Sequence, residues 1–201
     1  MTTSGENTEI QILVAAREVF IAKGYESARM QEIADRAGIN KALLHYYFRS
    51  KENLFDAVFS EVAAHLFPAV RQLLESDLAI KEKISFFVKI YLTALHENPY
   101  IPTFVINTLN SNPERFLKYI QKSGINPMML QKQIDEEAAR GLIRPIKAEH
   151  LLVNTIAMCV FPVIARPIIQ NIFQMSDAEY QAYLELRQTE VIDFVHKSLA
   201  V

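Results

Sequence analysis

Apolar residues recur at helical spacing along most of the chain. Between Ile10 and Phe20 they follow a repeat of three to four residues, which stops at Gly24. This spacing places the apolar side chains on one face, so it predicts a helix of about four turns that glycine ends. Segments 29–36 and 41–47 predict two shorter helices, because an alanine-glycine turn and the capping residue Asn40 separate them.

Signals for helix starts recur further along the chain. Ser50 is the predicted N-cap of a long helix, which Pro68 is expected to kink or end because proline lacks an amide donor. Ser176 and Glu179 have the spacing of a capping box and open the last helix. Proline is expected at the first helical position in the asparagine-proline pairs at 98–99, 112–113 and 126–127.

The whole pattern predicts an all-α fold of about nine helices. No run of alternating apolar and polar residues is long enough to require a strand. The chain has 201 residues, half of them apolar, and this is enough for one large domain or a small domain joined to a larger one. A single cysteine, Cys159, excludes an intramolecular disulfide.

Charge and hydropathy restrict the partners. The net charge of -2 excludes a general nucleic-acid binder, so any contact with nucleic acid must come from a local patch. The longest apolar run, residues 156–165, is too short for a bilayer, which needs about 20 such residues. The N-terminus lacks the pattern of a secretory signal. We therefore expect a cytoplasmic protein without a membrane partner.

A local basic patch lies in the segment from Arg36 to Lys51, which has four basic residues and no acidic one. On the predicted helix 41–47, one face presents groups suited to DNA, while Leu44 and Phe48 point the opposite way. On this face, Lys41, His45 and Tyr46 can bind phosphates or base edges. The small Ala42 permits close approach to the groove. The pattern favours a helix-turn-helix with its second helix facing DNA.

The stretch 16–59 resembles the DNA-binding domain of the tetracycline-repressor (TetR) family of bacterial transcription regulators. The matching motifs are Lys23-Gly24-Tyr25, Ile33-Ala34, Ala37-Gly38-Ile39, Tyr46-Tyr47-Phe48 and Ser50-Lys51-Glu52-Asn53-Leu54. The resemblance implies a helix-turn-helix DNA-binding domain over residues 1–66, with its recognition helix at about 40–47. It also implies a larger helical effector-binding and dimerisation domain over residues 67–201.

The resemblance further implies how such a protein works. A homodimer would bind a palindromic operator on double-stranded DNA, most often as a repressor, and a small-molecule effector would release it. The family's DNA-contacting positions correspond to Arg29, Lys41, Ala42, Leu43, His45, Tyr46, Tyr47 and Lys51, the last on the phosphate backbone. Arg29 departs from the usual serine or threonine cap, so Ser27 is an alternative start for that helix. His45 replaces a common tyrosine.

The larger domain contains the candidates for effector binding and dimerisation. Only Lys89 and Glu97 are charged between Phe86 and Asn112, which indicates a neutral or weakly polar effector. The candidate ligand residues are Phe87, Tyr91, His96, Tyr100, Phe104, Asn107, Met128 and Met158. The predicted dimer interface comprises Leu152, Ile156, Val160, Val163, Ile164, Tyr183, Leu184, Val191 and Phe194.

Other functional classes lack a motif. No phosphate-binding glycine loop, cysteine cluster or serine-nucleophile elbow occurs, and no Glu-x-x-His repeat indicates a di-iron site. We therefore expect no enzymatic activity, cofactor or metal. One alternative stays open from the sequence, namely a helical protein that binds a small molecule or a partner without specific DNA recognition.

Overall fold

The computed structural model describes residues 3–201, without the side chains of residues 3–6, 111 and 115. Every regular element over this range is a helix, which confirms the all-α prediction. The helices are α1 Thr3–Ser27, α2 Met30–Arg36, α3 Lys41–Tyr47, α4 Lys51–Glu75, α5 Ile80–Glu97, α6 Ile101–Ser111, α7 Pro113–Ser123, α8 Met128–Ala139, α9 Ala148–Ile164, α10 Arg166–Ile172 and α11 Asp177–Ser198.

Residues 3–201 thus form eleven helices rather than about nine. One reason is the short helix α10, which is separate because the chain bends by 73° between α9 and α10. The bend falls at Ala165, directly before Arg166 and Pro167. Proline is well tolerated in a first turn, where its missing amide has no helical partner to lose. Pro167 is the sequence feature next to this bend, but no separate helix is predicted after it.

The chain divides into two compact units. The first unit comprises residues up to His65 together with Asn98–Asn107, and the second comprises Leu66–Glu97 and the remainder from Thr108. One division falls between His65 and Leu66, beside the boundary between 66 and 67, which stays a prediction. The structure differs in assigning 98–107 to the first unit, because aromatic side chains from this segment pack there.

The first unit has a core between α1, α2, α3 and the start of α4. Ile33 and Ala34 on α2 and Leu44 on α3 are fully buried. Gly38 has a φ of 68°, a left-handed conformation that glycine adopts without steric cost, and this allows the tight turn between the two short helices. The predicted helix, glycine turn and second helix are therefore present.

An aromatic cluster completes this unit. The ring centroids of Phe20 on α1 and Phe55 on α4 are 4.9 Å apart. Phe55 also stacks on Phe104 of α6, with ring centroids 3.7 Å apart. Tyr25 and Tyr100 contact Phe55 edge-on at 5.1 and 5.5 Å. Offset and edge-on contacts add to the free energy gained by burying the rings. The first part of α6 is therefore a structural member of the first unit.

The second unit has a core formed by α5, α8, α9 and α11. Its buried members include Ile84 and Val88 on α5, Ile134 on α8, Cys159 on α9 and Val195 on α11. At the start of α5, the amide of Ile80 donates to the Glu137 carboxylate at 3.0 Å, and Gln133 donates to the same oxygen at 2.9 Å. This buried carboxylate thus supports the free end of a helix.

Proline positions explain several differences from the predicted boundaries. α4 continues through Pro68 to Glu75, so of the two predicted outcomes, a kink or an end, the end is wrong and the kink stays a prediction. A single proline removes one backbone hydrogen bond, and tertiary packing of the remaining helix can outweigh that loss. Of the three asparagine-proline pairs, only Pro113 begins a helix, whereas Pro99 precedes α6 and Pro127 is the N-cap of α8.

Two side chains of α11 bind carbonyls near the end of α9. Pro162 has no amide hydrogen, so the carbonyl of Met158, four residues earlier, lacks its helical donor. Arg187 approaches that carbonyl at 3.4 Å. The Pro162 carbonyl, beyond which α9 ends, accepts a hydrogen bond of 2.7 Å from the buried Tyr180 hydroxyl. α11 therefore satisfies carbonyls that the end of α9 leaves without partners.

Candidate nucleic-acid interface

The recognition helix α3 is fixed at both ends. The Asn40 side chain accepts a 2.8 Å hydrogen bond from the amide of Leu43, which confirms Asn40 as the N-cap. Leu44 and Phe48 are buried and attach the helix to the first unit. Lys41, Ala42 and His45 are exposed on the outward side. Capping and burial thus present the predicted face to solvent.

Tyr46 is the most exposed aromatic residue on α3, with 81% of its surface accessible. Its ring lies 5.5 Å from that of Tyr47 in an edge-on arrangement, and Tyr47 is half-buried. A large apolar ring that is exposed in this way, with a hydroxyl at its tip, can contact a groove wall and donate to a phosphate. The exposed Tyr46 ring thus packs at its edge against a half-buried neighbour.

His45 contacts the chain at the end of its own helix. The Nδ1 atom of His45 lies 3.3 Å from the carbonyl oxygen of Arg49. Because a carbonyl only accepts, this nitrogen carries the hydrogen, and a neutral ring then has Nε2 as an acceptor. His45 therefore offers DNA an acceptor when neutral and a second donor when protonated.

Lys51 has different neighbours from those that the sequence indicates. Its ammonium donates to the carbonyls of Tyr25 at 2.9 Å, Glu26 at 3.0 Å and Ala28 at 3.3 Å. The same group lies 4.6 Å from the centroid of the Tyr25 ring. These carbonyls come at the end of α1, where helical partners are missing. In this structure, all three ammonium donors of Lys51 thus serve the protein rather than solvent.

Arg29 occupies the N-cap position of α2 without making a side-chain cap. The alternative start at Ser27 is wrong, since Ser27 ends α1 and α2 begins at Met30. The exposed Arg29 side chain lines a groove of about 460 Å³. Lys23 also lines it, with an ion pair to Glu32 at 2.8 Å. Arg29 is therefore available for a phosphate contact beside α2.

The basic patch of the first unit is smaller than the count of basic residues indicates. Arg36 pairs with Glu18 at 2.8 Å, and Lys51 binds carbonyls. Within the described part of the chain, Lys41 and Arg49 have no carboxylate within 4 Å. Both are exposed. The strongest positive charge available to DNA therefore lies at the two ends of α3.

The eight candidate ligand residues are divided between the two units. Tyr100, Phe104 and Asn107 belong to the first unit, where the two rings join the aromatic cluster and Asn107 donates to Glu26 at 3.0 Å. His96 and Met128 belong to the second unit and are exposed. Three partly buried candidates of the second unit are Phe87, Tyr91 and Met158. Effector binding by these residues stays a prediction.

The core around Tyr91 has two groups whose ionisation is suppressed. The Phe87 and Tyr91 rings stack with centroids 5.3 Å apart. Burial raises the pKa of Tyr91 to about 12, and burial also raises the pKa of the Cys159 thiol to about 12. Neutral groups in an apolar setting are suited to a weakly polar ligand. A separate polar pocket of about 500 Å³, near Lys83 and Glu137, contains none of the eight candidates.

The predicted dimer residues divide into exposed and buried ones. Ile156, Ile164 and Phe194 are exposed, whereas Leu152, Val160, Val163, Tyr183 and Leu184 are half-buried. Val191 is 0% exposed and lies in the core of the second unit, so its prediction as an interface residue is wrong. Helical spacing alone does not separate a face turned to the core from one turned to a partner.

The sequence prediction missed further exposed apolar residues on α9 and α11, on α10 and directly after α10. These are Val153, Phe161, Ile168, Ile172, Phe173 and Leu186. Large apolar side chains that remain exposed together mark interaction surfaces. The high frequency of apolar residues along 166–175 is the sequence signal for the part of this surface on and after α10.

Among the described residues, no group of three or more His, Cys, Asp or Glu side chains is placed to hold a metal ion. No single described helix is long and apolar enough to cross a membrane, and only the bent pair α9 and α10 passes by length and composition together.

The N-terminal helices match a known family model. Residues 12–58 match the model described as "Bacterial regulatory proteins, tetR family". This range contains α2, α3 and the turn between them. The first unit is thus a helix-turn-helix DNA-binding domain, and the exposed face of α3 belongs to that class of site.

Similar proteins agree with this class. FasR, a transcriptional activator of Mycolicibacterium smegmatis, is 40% identical over 81 residues, which cover 40% of this chain and 37% of FasR. NicS, a transcriptional repressor of Pseudomonas putida, is 25% identical over 188 residues, 88% of this chain and 85% of NicS. Residues 12–58 thus match a TetR-type DNA-binding domain, which confirms the resemblance seen in this part of the sequence.

The fold extends beyond the matched domain. The crystal structure of FadR from Bacillus subtilis in complex with stearoyl-CoA has a TM-score of 0.63 and 17% identity, covering 94% of this chain and 98% of that one. At this identity the likeness concerns the fold alone. The second unit therefore has the fold found next to TetR-type DNA-binding domains.

Proposed function

We propose that this protein is a ligand-responsive repressor that binds a palindromic operator as a homodimer and is released by a small-molecule effector. The exposed face of α3 supports this proposal most strongly. Asn40 and Leu44 fix the helix, while Lys41, Ala42 and Tyr46 face outward. An α-helix fits the B-DNA major groove, where base edges distinguish all four base pairs. Because it would act on operator DNA, we place its action in the cytoplasm.

The proposed contacts with DNA differ in kind. Lys41 and Arg29 would bind phosphates or guanine acceptors, and the Tyr46 and Tyr47 hydroxyls would bind phosphates. Ala42 would lie close to the groove floor, where its methyl group fits beside a thymine methyl. Leu43 and His45 would complete the face. Charged contacts would supply affinity, while Ala42 and His45 would determine sequence preference.

The homodimer would form through the outer face of α9 and α11. Ile156 on α9 and Phe194 on α11 are exposed there, although both are apolar. Burying apolar surface is the main favourable contribution to association. A twofold axis would then present two copies of α3 to half-sites about one helical turn apart on DNA. The palindrome follows from this symmetry.

The effector would bind in the second unit near Phe87, Tyr91 and Met158. These side chains are partly buried and apolar, apart from a tyrosine hydroxyl whose pKa burial raises to about 12. A neutral or weakly polar molecule suits this environment, because burying an unpaired charge is costly. FadR, with the same fold, was crystallised with stearoyl-CoA, whose acyl chain is apolar. We therefore propose an apolar or acyl-bearing effector.

Release would depend on helices that run through both units. α4 and α6 each begin in the first unit and end in the second. Phe104 on α6 stacks on Phe55 of α4, and Asn107 binds Glu26, so the start of α6 is fixed within the DNA-binding unit. An effector that favours a different position of α6 would shift the population away from DNA binding. A typical coupling of 1–3 kcal/mol weakens binding roughly 5-fold to 150-fold.

Selection from a pool of randomised duplexes tests the proposal. At near-physiological salt, the protein is expected to enrich a palindrome, and Lys41→Ala with Tyr46→Ala should abolish enrichment. The control is Lys132→Ala with Tyr119→Ala, which alters the same residue types on α8 and α7. Enrichment that survives the α3 changes would remove α3 from the DNA contact. No enrichment by the native chain would favour a small-molecule-binding or partner-interaction protein.

A further inference from the structure

The corner between α9 and α10 carries an apolar strip that the second unit leaves uncovered. We define the strip as Phe161, Ile164, Ile168, Ile172 and Phe173. Four of the five are between 61% and 66% exposed, and Ile164 is 38% exposed. Phe161 and Ile164 lie about one helical turn apart on α9, and Ile168 and Ile172 lie about one turn apart on α10. Exposed apolar side chains in such a series indicate a surface that something covers.

Several contacts hold this corner in its bent form. The Arg166 guanidinium pairs with Asp177 at 2.8 Å and lies 5.0 Å from the Tyr180 ring. Gln170 donates to the same Asp177 carboxylate at 2.9 Å, and the Tyr180 hydroxyl binds the Pro162 carbonyl. These bonds link α10 and the end of α9 to the start of α11. The strip is therefore pre-organised, which lowers the entropy lost when a partner binds.

The strip has almost no charge around it. Arg166 is the only charged residue between positions 151 and 175, and its guanidinium is already paired with Asp177. A second copy placed against the strip would therefore meet few charged side chains from this stretch of the chain. A twofold interface requires such self-complementarity, because each copy contributes the same patch.

The strip is also continuous with the dimer face proposed above, since Ile164 belongs to both. On α9 and α11, the exposed large apolar residues outside the strip are Val153, Ile156, Leu186 and Phe194. A stable interface usually buries about 800 Å² on each partner, with about 20–30 residues a side. With Ile164 counted in the dimer face, the strip raises the number of exposed large apolar side chains available to that interface from five to nine.

We infer that the α9–α10 corner docks against a second copy of this chain and extends the homodimer interface beyond α9 and α11. This inference rests on the proposed homodimer. Phe161, Ile168, Ile172 and Phe173 would become buried in the dimer, and the contacts of Arg166 and Tyr180 would set the angle at which α10 meets the partner.

Analytical ultracentrifugation over a concentration series tests the inference. Ile168→Glu with Ile172→Glu should raise the dimer Kd by at least about 100-fold, since each lost apolar contact of ordinary size changes affinity about tenfold. The matched control, Leu117→Glu on α7, changes another exposed apolar residue and should leave the Kd unchanged. Circular dichroism melts verify that each variant folds.

The outcomes distinguish a failure of the corner inference from a failure of the proposed homodimer. A dimer that Phe194→Glu dissociates but the α10 variant does not would overturn the corner inference alone. A native chain that is monomeric at every concentration would overturn the homodimer and the corner together. Binding of the native chain to phosphatidylglycerol vesicles, lost in the α10 variant while the dimer Kd stays the same, would assign the strip to a lipid surface instead.

A spin label gives a readout that does not depend on disruption. Because Cys159 is buried, a nitroxide added to Ile172→Cys reports on the corner alone. Its motion should be restricted in the dimer and become free on dilution to monomer. A label on Leu117→Cys should stay mobile throughout. A label at position 172 that is mobile in the dimer would overturn the inference.

Discussion

Replacing Lys51 distinguishes a phosphate contact from a structural role of its ammonium. A phosphate contact at this position predicts that removing the ammonium weakens binding to all duplexes and lowers the salt slope by about 0.9 for each lost contact. The structure instead has the ammonium donating to three carbonyls at the end of α1 and lying over the Tyr25 ring. It therefore predicts a loss of stability rather than a loss of phosphate binding.

The magnitude follows from these contacts. A hydrogen bond that involves a charged group contributes about 1.5–3 kcal/mol, and a cation over an exposed aromatic ring about 0.5–1 kcal/mol. Lys51 is only half-buried, so water would replace part of the lost bonding to the carbonyls. We expect Lys51→Met, which keeps the apolar stem, to lower the free energy of unfolding by about 2 kcal/mol. For a chain of this size, that lowers Tm by roughly 4–8 °C.

The assay pairs urea unfolding with DNA binding at several salt concentrations. Lys41→Met is the matched control, because Lys41 is exposed on α3 and has no described ion pair. Lys41→Met should reduce the salt slope by about 0.9 per subunit and leave stability unchanged. Lys51→Met should leave the salt slope unchanged and lower the free energy of unfolding. A lower salt slope with unchanged stability in Lys51→Met would refute the structural role.

Three further predictions concern buried groups. Burial raises the pKa of Tyr91 to about 12, so the unfolded chain, with a pKa near 10, ionises first. The stability contributed by neutral Tyr91 is complete below pH 10 and is lost as pH rises toward 12. Between pH 8 and 11, urea melts should show a loss of stability that is larger by on the order of 1 kcal/mol in the native chain than in Tyr91→Phe, and an equal loss in both proteins would contradict this. The pKa of Cys159 is also raised to about 12 by burial, so a thiol reagent at pH 8 should react only as the protein unfolds; immediate labelling of the native protein would show the thiol to be accessible. Tyr180→Phe removes the hydrogen bond to the Pro162 carbonyl and should cost about 1–2 kcal/mol in urea unfolding, while Tyr183→Phe on the same helix should cost less; equal costs would show that this bond contributes nothing particular.

The helix-turn-helix could be predicted from the sequence because its signals are local. The Asn40 side chain caps the amide of Leu43, three residues later, and Gly38 adopts the left-handed conformation of the turn. Leu44 lies at helical spacing from the apolar residues around it. Each of these features depends on residues within a few positions of one another. The structure therefore confirms the short helices and their orientation almost unchanged.

Features that depend on distant residues could not be predicted in the same way. The partners of Lys51 lie 23 to 26 positions earlier, and Phe104 packs on Phe55 across 49 positions. One signal for Lys51 was present, since a cation in the first turn of a helix is unfavourably placed relative to the helix dipole. A lysine there needs another partner, and the free carbonyls at the end of α1 supply it.

The two sides of α11 show a further limit of periodicity. Val191 and Phe194 are both apolar and three positions apart, yet one is fully buried and the other is mostly exposed. Helical spacing groups them on one broad face, but the packing of α5 and α9 determines which part of that face the core uses. Only the folded unit separates core residues from those left for a partner.

A change of specificity tests the central claim most directly, namely that the exposed face of α3 reads DNA sequence. Ala42→Gln adds a side chain that can pair with adenine in the major groove. Selection from randomised duplexes should give this variant a palindrome that differs from the native one at one symmetric base pair in each half-site. An unchanged palindrome, with unchanged affinity, would contradict the claim that this face of α3 lies against the bases.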